Sequence, residues 1–327
     1  MAPVAVGFVG CGTHAHMNLY PSLRFADCTL VAASDLYEER RERASRVHGA
    51  DRVYADYEEM LDAEELDAVL VSGPPRLHHE AALQAMQRGL HVFVEKPPSE
   101  TRAQAREMLE VSRETGCICM VGFMKRFAQK YVMAKQIAER EEFGSPSHLL
   151  LRYSFNVSRD RQGFLAGMCS HPLDLARHFM GDYGRMHAEW GQSGAGLWLS
   201  LNVRFRSGAT GTLIMSGQAP AVVERLELTG DGAMVVVDDV ATLEYYPPAE
   251  QRWRPPPRIV HRPNMALQSD ENNSLTVQGY AGEVRAFIEA VAGGTPPPCA
   301  TIEDGVAMME IVEMLASGRS GVLEPDG

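Results

Sequence analysis

Three short stretches and one lone aspartate of the 327-residue chain carry residue types suited to chemistry. Gly10-Cys11-Gly12-Thr13-His14-Ala15 is a Gly-x-Gly-x-x-Ala turn, and Asp35 follows Gly10 by 25 residues. Glu95-Lys96-Pro97 sets a lysine between an apolar run and two prolines. His171-Pro172-Leu173-Asp174 sets an imidazole three residues before a carboxylate. In a strand–turn–helix, Gly10 makes the tight turn, Gly12 lets the backbone approach a pyrophosphate, and Ala15 packs helix on strand. Thr13 and His14 then open a helix whose free N–H groups face the phosphates. Asp35, at the end of the next strand, accepts hydrogen bonds from ribose hydroxyls and repels a 2′-phosphate. NAD is therefore favoured over NADP. Arg40, Arg41 and Arg43 alternate with Glu38, Glu39 and Glu42 and read as a solvated face of i,i+4 pairs.

The elements that must position these residues are legible as patterns. Apolar runs at Val4–Val9, Cys28–Ser34, 67–72, 90–95 and 117–123 suit a parallel sheet buried on both faces. Helical patterns lie between them near 14–26, 36–48, 76–89 and 100–115, with Gly49, Gly89 and Gly116 at C-cap positions. This alternation predicts an α/β Rossmann domain over residues 1–122. From residue 123 to 327 the pattern changes. Strands at 147–157, 186–192, 197–205, 209–216, 223–228, 234–237 and 242–246 are joined by short turns, which imply a mostly antiparallel sheet. Helices near 172–181, 280–292 and 303–317 make this second domain α+β. The proline-rich stretch that runs on to residue 273 from Pro247 reads as a long loop.

Lys96 ends a buried strand, where open α/β sheets bind ligands. Partial burial lowers a lysine toward general acid–base use. Pro172 suits a first helical turn, which puts His171 at a helix N-cap and favours neutral imidazole. Such a ring can take a hydroxyl proton as hydride leaves the same carbon. Asp174, one turn in, caps the helix or holds a substrate hydroxyl. A metal site from His171, Asp174 and His178 is poorly served by their spacing.

Gly7–Gly12, Pro74-Pro75-Arg76-Leu77-His78, Glu95-Lys96-Pro97, Gly122–Phe127 and His171–Asp174 occur in this order, and the chain resembles the Gfo/Idh/MocA family along nearly its whole length. The resemblance implies a Rossmann domain and a C-terminal, open-faced sheet that forms a homodimer or homotetramer interface. It implies a nicotinamide between the domains and oxidation or reduction of a secondary carbinol of a sugar, amino sugar or cyclitol. It assigns Lys96 to the reacting hydroxyl and the nicotinamide ribose, places Pro74 and His78 near the cofactor, and marks Arg126, whose alternative is an interdomain ion pair. Glu95 orders the strand end or Lys96 itself. Asn156, Arg159 and Tyr280 are further candidates for holding substrate. Many members carry an aspartate where this chain has Gly167, so the expected Lys–Asp–His set is reduced to Lys96 and His171. Two alternatives stand beside the dehydrogenase: a non-redox, glycosidase-like member and a dinucleotide- or sugar-sensing regulator.

A formal charge of −12 argues against a nucleic-acid binder. No stretch reaches the ~20 apolar residues of a membrane span. Six scattered cysteines without a Cys-x-x-Cys pair fit a reducing cytoplasm.

Overall fold

The structure, a computed structural model, describes residues 2–156, 160–249, 257–263 and 269–325. The chain divides into two compact units. One comprises the chain up to Met124 together with Gly279–Met309, and the other Lys125–Gln278 together with the chain from Glu310. A single boundary at 122/123 therefore does not describe the structure. The segment 279–309 returns to the first unit because its leading helix packs beside the first strand.

In the first unit, β1 (Val4–Val9), β2 (Cys28–Ser34), β3 (Arg52–Tyr54), β4 (Ala68–Val71), β5 (His91–Glu95) and β6 (Cys119–Gly122) form a parallel sheet in the order β3-β2-β1-β4-β5-β6. Every residue of β4 and β6 is buried, as strands covered by helices on both faces require. The order reverses between β1 and β4, which opens a crevice at the C-terminal ends of these strands. Helical cover comes from a run over residues 13–25 containing α1 (Tyr20–Ser22), and from α2 (Glu38–His48), α3 (Tyr57–Ala63), α4 (Pro75–Gln87) and α5 (Arg102–Thr115). Gly49 and Gly116 end α2 and α5 in the left-handed conformation.

The second unit begins with α6 (Gln129–Ala138). Its nine-stranded sheet contains β7 (His148–Asn156), β8 (Tyr183–Ser193), β9 (Gly196–Phe205), β10 (Thr210–Ser216), β11 (Gln218–Thr229), β12 (Met234–Asp238), β13 (Thr242–Tyr246), β14 (Ile259–His261) and β15 (Gly321–Leu323). All neighbours are antiparallel except β7 and β10. Burial alternates along β9: Leu197, Leu199, Leu201, Val203 and Phe205 face the core, while Trp198, Asn202 and Arg204 face outward. One face of the sheet carries the helical run over residues 161–180, which includes α7 (Arg161–Phe164) and α8 (Ser170–Met180). β14 lies inside the stretch expected to be a loop, since Ile259 and Val260 extend the sheet beyond β13. Residues 250–256 and 264–268 of that stretch lie outside the described residues. The remaining helices are α9 (Ser274–Gln278), α10 (Tyr280–Gly293) and α11 (Ile302–Ala316). Among the described residues no helix is long and apolar enough to cross a membrane.

Candidate active site

The turn after β1 has the geometry its glycines require. Gly10 has φ +91°, and a Cβ there would stand 2.0 Å from the Ser72 carbonyl oxygen, so no side chain fits. A Cβ on Gly12 would meet nothing within 4 Å. The backbone at Gly12 thus faces open space, as the approach of a pyrophosphate demands. Thr13 and His14 begin the helical run, and Ala15 is fully buried against the sheet. Asp35 is fixed beside the turn. Its Oδ2 accepts the Cys11 N–H at 2.8 Å and its Oδ1 the Tyr37 N–H at 2.9 Å. Arg41 turns back to the carbonyls of Asp35 and Leu36, and Arg40 lies over the Tyr37 ring. These are not the i,i+4 partners expected along α2, because the carbonyls leaving β2 offer acceptors closer to hand. Turn, helix start and ribose-side carboxylate fit a dinucleotide.

The end of β5 is a second cluster in the same unit. Glu95 is 5% exposed; its Oε1 accepts from His14 Nε2 at 2.9 Å, and its Oε2 accepts the Lys96 N–H at 3.0 Å. Asn18 Nδ2 donates to His14 Nδ1 at 3.1 Å, which leaves the His14 proton on Nε2, facing Glu95. Burial disfavours the Glu95 carboxylate. The hydrogen bond from His14, with the charge of Lys96, outweighs it and holds the carboxyl below its usual range. The Tyr280 ring stands edge-on to His14 at 5.6 Å. His14 is thus tied by its ring to the Lys96 end, besides opening the phosphate-facing helix. Lys96 itself is half-buried and precedes a cis proline.

His78 departs from expectation. It is 1% exposed; Nε2 accepts the Gly73 N–H at 2.9 Å and Nδ1 donates to the Pro97 carbonyl at 2.8 Å. Burial lowers its pKa, so the ring is neutral with both nitrogens taken by backbone. It braces the loop after β4 against the loop after β5 and has no ring nitrogen to offer a cofactor. Pro74, extended at the N-cap of α4, shapes the same loop.

His171 also departs from expectation, in its helix position. The helical run starts at Asp160, whose side chain accepts the Gly163 N–H, and passes through a π-segment, Leu165–Cys169, into α8. His171 is therefore inside a continuous helix and not at an N-terminus. Pro172 lacks an N–H and would crowd the carbonyl four residues earlier, and the π-segment accommodates it. His171 is 8% exposed, with its ring 6.0 Å from that of Tyr153. Asp174 has a partner that sequence reading did not give it. Arg126 grips it bidentately, at 2.9 Å through Nε and 2.6 Å through Nη2, with both side chains buried. The pair lies within the second unit, so it is not an interdomain bridge. It casts Asp174 as the anchor of α8 ahead of a holder of substrate hydroxyls. Lys125 and Tyr131 form a similar buried set on Glu224, at 2.7 and 2.6 Å. Gly167 lies in the π-segment, and a Cβ there would meet nothing within 4 Å. Asn156 is exposed at the end of β7; Arg159 lies outside the described residues.

Comparison with known proteins agrees with this geometry. Residues 4–123 match the model of an oxidoreductase family with an NAD-binding Rossmann fold, and residues 131–236 match the C-terminal domain of the same Gfo/Idh/MocA family. A myo-inositol 2-dehydrogenase of Thermotoga maritima is 26% identical over 317 residues, covering 92% of this chain and 91% of that protein. A dehydrogenase from Chromobacterium violaceum superposes with a TM-score of 0.88 at 26% identity, over 97% of this chain and 96% of that one. A levoglucosan dehydrogenase, solved with NADH and L-sorbose, superposes with a TM-score of 0.87 at 18% identity over 99% of both chains. Nothing in these relatives supports a non-redox activity.

Proposed function

The chain belongs to the Gfo/Idh/MocA oxidoreductase family, and on that premise we propose that it moves hydride between NAD and a ring secondary alcohol of a sugar, amino sugar or cyclitol. The observation that carries this is the Gly10–Ala15 turn with Asp35 fixed beside it, in the same unit as the Glu95–Lys96 end. When bound, the nicotinamide accepts the hydride. Gly12, Thr13 and His14 offer the backbone for its phosphates, and Asp35 takes the ribose hydroxyls. As the carbinol carbon loses hydride its C–O becomes a carbonyl, and the hydroxyl proton must go to the protein. Lys96 and His171 are the candidate acceptors, and one of them, in its unprotonated form, takes that single proton. Glu95 fixes the backbone of Lys96, and Arg126–Asp174 fixes the helix of His171. Asn156, Arg159 and Tyr280 are the proposed substrate-side contacts.

Relatives described as inositol and sugar dehydrogenases support the substrate class. The test is a panel of cyclitols, sugars and amino sugars offered with NAD and with NADP, read as absorbance of reduced nicotinamide. Reduction of NAD with at least one polyol is the expected result. NAD binding without reduction across the panel contradicts the proposal and favours a sensor. We further propose a homo-oligomer formed through the outward face of the second sheet, where Trp198 and Ile214 are exposed near one another. Sedimentation should show a dimer or tetramer that Trp198→Glu weakens.

A further inference from the structure

The backbone of His14 serves the cofactor phosphates, and its ring is engaged elsewhere. Nε2 donates to Glu95 Oε1 at 2.9 Å, Nδ1 accepts from Asn18 Nδ2 at 3.1 Å, and the Tyr280 ring stands edge-on 5.6 Å away. Glu95 is as closely held. It ends β5 with 5% exposure, and a Cβ on Gly122, opposite it on β6, would stand 3.1 Å from Oε1. The carboxyl therefore lies close against the neighbouring strand. Its other oxygen accepts the Lys96 N–H at 3.0 Å. A continuous line of hydrogen bonds thus runs from the start of the helix after Gly12 to the backbone of Lys96, all within the first unit.

We propose that His14 is a positioning residue for the hydride and proton transfer: its ring, through Glu95, sets where Lys96 stands relative to the cofactor turn. This rests on the reading of Lys96 as the proton-handling residue. With its backbone on the phosphate side and its ring on the lysine side, one residue fixes the register between the two halves of the chemistry. Hydride and proton leave the same carbinol, so the base must be placed to within about 1 Å of its working position. Without an N–H at the place of Nε2, Glu95 Oε1 is left buried and unpaired, which costs more than the bond itself contributed. The carboxyl then turns to another donor or takes a proton, and in either case its hold on the Lys96 N–H is lost.

Two substitutions separate this role from mere packing. Glutamine carries its side-chain N–H as many bonds from Cα as Nε2 of histidine, and asparagine as many as Nδ1. His14→Gln therefore keeps the donor to Glu95, and His14→Asn removes it. The His14 side chain is 41% exposed, so neither change burdens the core. Full-length protein labelled with 15N at lysine gives four amide signals, from residues 96, 125, 130 and 135, and Lys96→Arg identifies the first. The other three lie in the second unit and serve as internal controls. In His14→Asn the Lys96 amide proton should move upfield while the other three stay in place, and in His14→Gln it should return toward wild type. With NAD and the fastest polyol, His14→Asn should lose roughly 10- to 100-fold in kcat, with KM for NAD within about threefold of wild type. His14→Gln should recover most of that loss. A Lys96 amide signal that is the same in all three proteins overturns the proposal. So does an unchanged kcat in His14→Asn, a loss that falls on KM for NAD in place of kcat, or an equal loss in both variants. The amide measurement needs no substrate, so on a protein that oxidises no polyol it decides alone, and failure of the dehydrogenase reading is told apart from failure of this one.

Discussion

Asp174 in the second unit and Glu283 in the first are both carboxyls removed from water, at 2% and 0% exposure. Asp174 meets a guanidinium through two short bonds, and Glu283 meets no hydrogen-bond donor among the described residues. The first therefore holds charge and fixes a helix, while the second holds a proton. Burial alone does not decide which; the partner does. The contrast separates the two halves of the candidate chemistry. His171 rides on a helix clamped by a static ion pair, and Lys96 sits at a strand end among groups that can change charge.

The largest effect expected from breaking this contrast is at Arg126. Arg126→Met leaves Asp174 buried without its counter-charge and should cost roughly 3–5 kcal/mol in denaturant unfolding. Adding Asp174→Leu to that variant should recover most of the loss, since it is the orphaned charge that is expensive. Glu283 should behave in the opposite way. Its folded pKa is raised above the ordinary carboxylate value of 4.5, so the folded protein binds the proton more tightly than the unfolded chain. Stability from this group is present at and below pH 4.5 and is lost as pH rises through the folded value. Glu283→Met should then gain on wild type as pH rises above 4.5, by about 1.4 kcal/mol for each pH unit until the folded carboxyl ionises, as melting curves across pH will read. The smallest effect belongs to Gly167→Asp. With open space at the Cβ, stability should stay within roughly 0.5 kcal/mol of wild type. Its turnover then reports whether a third polar group beside His171 helps the reaction.

Much of the fold could be read from residues alone, for reasons that differ between the units. Runs such as Ala68–Val71 announce a sheet covered on both faces, and the alternation along β9 announces one that is open on a face. β3 and α3 escape notice because Arg52–Tyr54 is only three residues long and α3 buries little beyond Met60 and Leu61. At the site, the Gly10–Ala15 turn and Asp35 are local and therefore legible. Pro172 misled, because proline marks a helix start in most contexts and a π-segment absorbed it here. The Arg126–Asp174 pair spans 48 residues of sequence, and no pattern announces such a contact. Glu283 did leave a signal: it shares the helical face of Phe287 and adjoins Val284, both wholly buried, so periodicity alone marks it as an acid facing the core.

The central claim is that Lys96 handles the proton of a NAD-linked oxidation. Its most direct test is steady-state turnover of Lys96→Ala against wild type, with NAD and whichever polyol of the panel is oxidised fastest, alongside NAD affinity by calorimetry. The account predicts a loss of at least ~10²-fold in kcat, with NAD still bound. A variant that turns over at close to the wild-type rate would contradict it.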